Sequence, residues 1–266
     1  MTLVPFPDTW NDTARVLHGY ARVLGAVPRA HAEPQAHWWH VGLEIEGQSL
    51  VTAPVPLPGG GVLRLGMAPG RHTAWMQASK GFQADFPLDG GLSANELAEA
   101  VLGNAAELGL PDGYDRARFE SDEVRPYDRG AAIAYWENLM MVAAVLDRRR
   151  DEMSDPGGIH IWPHHFDMSF EWYGSRQVEG EDGSTSPAQI NLGFNVLDDP
   201  YLYSSPWPFD EGLLDEALPG KARWHTDGWT GSMLPFEALL GQSDWEERVL
   251  EYARAVYRVS LPGLTG

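Results

Sequence analysis

The 266-residue chain contains no cysteine, which excludes disulfides, thiolate metal ligands and cysteine nucleophiles. Any metal site would have to be built from His, Asp and Glu. No apolar run approaches the roughly 18 residues needed to cross a bilayer. The opening Met-Thr-Leu-Val-Pro-Phe-Pro has neither the basic stretch nor the apolar core of a secretory signal. The expectation is a cytoplasmic protein with no membrane partner. Basic residues are scarce: 19 Lys and Arg stand against 38 Asp and Glu, a formal net charge of −19. That balance repels phosphate backbones, so nucleic acid is not an expected partner. The one basic run, Arg148-Arg149-Arg150, suits a helix C-terminus, where cations complement the macrodipole. The G-x-S-x-G, Walker A, G-x-G-x-x-G and H-E-x-x-H patterns are also missing, which removes the commonest hydrolase, nucleotide-binding and zincin readings.

Apolar and aromatic residues are plentiful. With 43% hydrophobic residues, including 11 Trp, 9 Phe and 9 Tyr, the chain can bury one large core or two small ones. The spacing predicts an amphipathic helix from about Thr9 to Leu24, with Trp10, Ala14, Leu17, Ala21 and Leu24 on one stripe and Gly25 as its stop. Strands are expected where Trp39, Val41, Leu43 and Ile45 alternate with polar residues, at Leu63 to Met67, and at Phe82 to Leu88. Ser93 and Glu96 form a capping box for a helix that buries Leu97, Val101, Ala105 and Leu108 and ends at Gly109. A second opening helix is expected from Tyr127 to about Met153, with Ile133, Trp136, Met140, Ala143 and Ala144 inward. Strands follow at Phe166 to Trp172, Ile190 to Val196 and around Arg223 to Trp229. Ser243 and Glu246 read as another capping box, for a last helix carrying Val249, Ala253 and Val256. Ala53 to Gly61 and the acidic Glu179 to Pro187 read as exposed loops, and Tyr201 to Phe209 as an irregular aromatic segment that folds back on the core or covers a pocket.

The order helix, strands, helix occurs twice, and His37-Trp38-Trp39-His40 precedes its strand much as Trp162-Pro163-His164-His165 precedes its own. Laid on itself so that His40 falls on His165, the chain matches Val41, Leu43 and Ile45 with Phe166, Met168 and Phe170. The expected fold is therefore α+β with an internal duplication. Residues 1–126 and 127–266 would be two helix–antiparallel strands–helix halves of one compact unit, related by a pseudo-twofold. Trp10 to Thr13, Leu17-His18, His37 to His40, Trp162 to Asp167 and Leu234-Pro235-Phe236 resemble an uncharacterised, mainly bacterial family, domain of unknown function 5996. The resemblance covers most of the chain and implies no reaction, cofactor or substrate.

Strand alternation nominates the chemistry-bearing face. If Phe166, Met168 and Phe170 face the core, His165, Asp167, Ser169 and Glu171 share the other side, as do His40, Glu44 and Glu46 in the first copy. His225 and Asp227 repeat the His-x-Asp spacing. The candidate ligand-binding residues are His40, Trp38, Trp162, His164, His165, Asp167, Glu44, Glu171 and Trp207. The leading reading is small-molecule binding in a His/Trp-lined cleft, with Trp38, Trp162 and Trp207 stacking a flat ligand. Two alternatives stand beside it. One is a metal-dependent hydrolase with a divalent metal on His40, His165 and Asp167 and with Glu44 or Glu171 as general base. The other is a duplicated scaffold whose polar face is an interaction surface.

Overall fold

The computed structural model describes residues 2–180 and 183–266; Glu181 and Asp182, within the segment read as an acidic loop, lie outside the described residues. The architecture is α+β, with every strand pairing given below antiparallel. The chain divides into two compact units. The first comprises Phe6–Glu137 and His160–Phe166, the second Met1–Pro5, Asn138–Ile159 and Asp167–Gly266.

The first unit opens with α1 (Trp10–His31), whose stripe Trp10, Ala14, Leu17, Ala21 and Leu24 is fully buried. The burial of each large apolar side chain there contributes roughly 1.5 to 3 kcal/mol. The helix does not stop at Gly25. It continues two turns further because Gly25 serves an approach rather than a cap: a Cβ there would lie 2.7 Å from Pro163 Cγ. Six strands follow: β1 (Leu43–Glu46), β2 (Ser49–Thr52), β3 (Val55–Pro56), β4 (Val62–Ala68), β5 (Thr73–Ala78) and β6 (Gln83–Pro87). After them comes α2 (Ala94–Glu107), whose capping box is present as read: Ser93 Oγ accepts from Glu96 N–H and Glu96 accepts from Ser93 N–H. Leu97, Val101 and Ala105 are buried, Leu108 is half-buried at the C-cap, and Gly109 exits with φ +89°. Helix α1 packs on α2 and on β2, β3 and β4. Helix α3 (Arg129–Asp151) starts in this unit, and β7 (His160–Trp162) returns to pair with β1. The strand order is β7-β1-β2-β4-β5-β6, with β3 beside β4.

The second unit holds β8 (Asp167–Glu179), β9 (Thr185–Asn195), β10 (Tyr201–Ser204), β11 (Pro206–Trp207), β12 (Arg223–His225), β13 (Gly231–Pro235) and α4 (Trp245–Leu264). Its strands run β12-β13-β10-β9-β8, with β11 beside β9, and α4 packs on β8, β9, β10, β11 and β13. Val249, Ala253 and Val256 are buried as the spacing required.

Several expectations are corrected. Residues 36–41 are not strand but a 3-10 segment in which His37 and Trp38 take left-handed backbone, φ 54° and 62°. Apolar alternation alone does not distinguish such a turn from extended chain. The α3 stripe is only partly right: Ala143 is buried and Trp136 half-buried, but Ala144 is exposed. Ile133 and Met140 are 41% and 37% exposed, whereas Ala131, Tyr135, Asn138, Leu139, Val142 and Leu146 are buried. Both helix faces carry apolar residues, and a buried Asn138 hides the true one; its amide exchanges hydrogen bonds of 2.9 and 2.8 Å with the Val4 backbone, which removes the cost of burial. Ser243 makes no capping box: the N-cap is Asp244, paired with Arg248 at 2.8 Å. Tyr201 to Phe209 is not an irregular cover, since Tyr201–Ser204 is a strand bonded on both sides. On β8, Asp167, Met168, Ser169 and Phe170 are all buried, so this stretch is covered on both faces.

Each half of the chain does open and close with a helix around strands. The aligned histidines differ in setting. His40 is buried at the end of its 3-10 segment, while His165 is exposed in the turn before β8, where Phe166 has φ 59°.

Candidate functional site

The clearest site lies in the first unit. Two donors one turn apart on α1, His18 Nε2 at 3.1 Å and Arg22 at 3.3 Å, hold the carbonyl oxygen of His164. With Gly25 giving Pro163 room, these bonds fix the Trp162-Pro163-His164-His165 turn along the helix. A carbonyl can only accept, so His18 carries its proton on Nε2. Burial, then Arg22, pushes its pKa down to about 4, and the ring is neutral at neutral pH. It also stacks 5.9 Å from Phe166.

Beside this turn is a cavity of about 340 Å³. Its polar wall carries Arg22 and Arg29 of α1, Asp115, Arg118 and His164; its apolar wall carries Trp38, Val41, Ala26, Ala30 and Pro163. Trp38 is 61% exposed and stands on the left-handed pair of residues, with the Arg29 guanidinium 5.3 Å from its ring. Left-handed non-glycine residues each cost about 1 to 3 kcal/mol, and such strain gathers at functional sites. Asp115 already binds Arg118 at 2.7 Å, and among the described residues neither Arg22 nor Arg29 forms an ion pair. Desolvation, followed by the positive charge of Arg15 on Arg22 and of Arg118 on Arg29, holds both guanidinium groups below the usual arginine range, with the Asp115 charge opposing the shift on Arg29. His164 responds to the same field. Its imidazole is pushed down by desolvation and then by His165, Arg29, Arg22 and Arg118.

This cavity draws in several residues nominated from sequence. Trp38 and His164 line it. His40 stacks 5.6 Å from the Trp38 ring, and His165 lies 4.3 Å and Trp162 6.0 Å from the His164 ring. His40 Nδ1 accepts from Gln35 N–H at 3.2 Å, and burial followed by Arg29 lowers its pKa. Glu44 is exposed on β1 and is not part of the wall. The histidine and tryptophan motifs do not include the arginines of this wall. Arg22 and Arg29 are spaced i, i+7 on one helix face, the one sequence pattern that points to them.

Asp167, Glu171 and Trp207 belong to the second unit. There Asp167, Ser169 and Glu171 do share one face of β8. The Tyr203 hydroxyl donates to Asp167 Oδ2, and Ser169 Oγ donates to Glu171 at 2.9 Å. Tyr203 reaches across β9 because Gly193 lies between Ser169 and Tyr203 in register, where a Cβ would stand 2.4 Å from the phenol ring. Burial raises the Glu171 pKa to about 7, with the Ser169 bond opposing and the Asp167 charge reinforcing the rise. Tyr203 is raised well above its ordinary value by burial and Asp167. Trp207 is exposed on β11. His225 donates to the Asp227 carbonyl at 2.6 Å, so that pair is held through backbone. Among the described residues no three His, Asp or Glu side chains converge to hold a metal ion, and the His40, His165 and Asp167 triad is not assembled.

Fold and geometry thus define an α+β protein with a cationic, aromatic-walled cavity in its first unit. The chain belongs to the family of unknown function DUF5996, whose model matches residues 5–261. No curated protein and no solved structure matches it.

Proposed function

We propose that this protein binds a small molecule in the cavity between α1, Trp38 and the Trp162 to His165 turn. The observation that carries the reading is Trp38 itself: a large exposed aromatic, held on strained backbone, at the wall of a cavity of about 340 Å³. That volume falls within the range of small-molecule pockets. The mixture of an apolar wall with a few convergent polar groups is the lining such ligands need. The first unit contributes every residue of this wall.

The test is thermal-shift screening of the full chain with flat aromatic fragments, repeated on Ala26→Trp, which fills the cavity from a half-exposed helix position. Fragments that stabilise the wild type and have no effect on the filled variant are the expected result. Equal shifts in both proteins, or none in either, would overturn the reading. We further propose that the two helix–strands–helix halves are a duplication, supported by their shared element order; superposition of 1–126 on 127–266 with non-equivalent strands would refute it.

A further inference from the structure

Resting on that reading of the Trp38 cavity, we infer that its ligand is an oxyanion, a carboxylate or phosphate, joined to a flat apolar body. The chain as a whole is strongly acidic, with 19 basic residues against 38 acidic ones, so an anion gains nothing from the protein at long range. Three arginines nevertheless gather on this one wall, with Asp115 as the only acid among the lining residues. Asp115 is occupied by Arg118. Arg22 spends one N–H on the His164 carbonyl, and Arg29 lies over Trp38. Neither has a carboxylate within ion-pair distance among the described residues. The wall therefore carries a local excess of two positive charges.

Arg22 is repelled by Arg15 and Arg29 by Arg118, and among the described residues neither has a carboxylate in ion-pair contact. Such an arrangement is stabilised when an anion enters, and the planar fork of arginine matches the two oxygens of a carboxylate or phosphate. Because charges beyond about 8 to 10 Å are screened at physiological salt, the near arginines outweigh the distant acidic surface. Desolvation and His165 lower the His164 pKa, and the charges of Arg29, Arg22 and Arg118 add to them, so all three arginines reach the same point of the wall. His164 stays neutral there, available to donate or accept one hydrogen bond without adding charge. Trp38, Val41 and Pro163 supply the face for the apolar body.

Isothermal titration of the full chain with three matched probes tests this: naphthalene-2-carboxylate, 2-naphthyl phosphate and the neutral naphthalene-2-carboxamide. At least one anion should bind tenfold or more tightly than the amide, and the tighter of the two identifies the head group. The preference should weaken between 20 and 200 mM NaCl and fall about tenfold in Arg29→Gln and in Arg22→Gln, with Arg22→Lys recovering part of it. Arg223→Gln, in the second unit, should leave it unchanged. An amide that binds as tightly as both anions would overturn the inference while leaving the cavity reading intact. No binding of any probe at millimolar concentration would overturn both.

Discussion

His18 donates from Nε2 to the carbonyl oxygen of His164 at 3.1 Å, joining residues 146 positions apart. This bond ties the first helix to the turn that carries the second histidine pair, and it makes a neutral imidazole part of the folded structure. An imidazolium could still donate, but its charge would be buried beside Arg22.

The pH dependence of stability follows. The folded His18 pKa is about 4, against 6.5 for the free group, so the unfolded chain takes up the proton first as pH falls. The stability associated with neutral His18 is intact above pH 6.5. It is lost progressively between about 6.5 and 4, to a total of roughly 3 kcal/mol. Urea midpoints at pH 7.5, 6 and 5 should fall less steeply for His18→Gln than for the wild type. Parallel slopes would contradict the assignment.

Glu171 has the opposite sign. Its folded pKa of about 7 lies above the ordinary 4.5, so the protonated form is favoured in the folded state. That contribution is full below pH 4.5 and is lost as pH rises through 7. Glu171→Gln, which mimics the neutral acid, should gain on the wild type by up to roughly 3 kcal/mol between pH 4.5 and 8. A constant difference between the two proteins across that range, measured by chemical denaturation, would refute the shift.

Gly25→Ala sets two effects against each other. Alanine favours a helix interior by about 1 kcal/mol over glycine, but here its methyl would meet Pro163 Cγ at 2.7 Å. Overpacking costs about 1 to 3 kcal/mol, so the variant should be less stable despite its better propensity. A raised unfolding midpoint would show that the turn can move away freely.

Gly193→Ala should also destabilise, by about 1 to 3 kcal/mol, because a Cβ would occupy the path of the Tyr203 ring, 2.4 Å from Cε1. In the double variant with Tyr203→Ala the same glycine substitution should cost much less. Additive costs in this double-mutant cycle would mean that ring and glycine do not interact.

Legibility in the sequence tracked how local each cause was. The α2 capping box, the inward stripes of α1 and α4 and the strands at Leu63 to Met67 and Ile190 to Val196 could be read because their signals lie within a few residues. Gly25 reads as a helix stop because nothing nearby in the sequence reveals that Pro163, far along the chain, needs its space. The His and Trp motifs point to Trp38, His164 and their ring neighbours; the i, i+7 spacing puts Arg22 and Arg29 on one face, but only the fold brings Arg118 to them, because that convergence joins a helix to a later segment.

The sequence by itself determined the α+β class, the absence of thiol chemistry, the acidic surface and most helix registers, all set by composition or by near-neighbour periodicity. Tertiary structure alone decided that three arginines line one cavity with an exposed tryptophan, and that a tyrosine crosses a glycine to reach Asp167. Those arrangements depend on contacts between residues far apart in the chain, whose pairing no local pattern of side chains encodes.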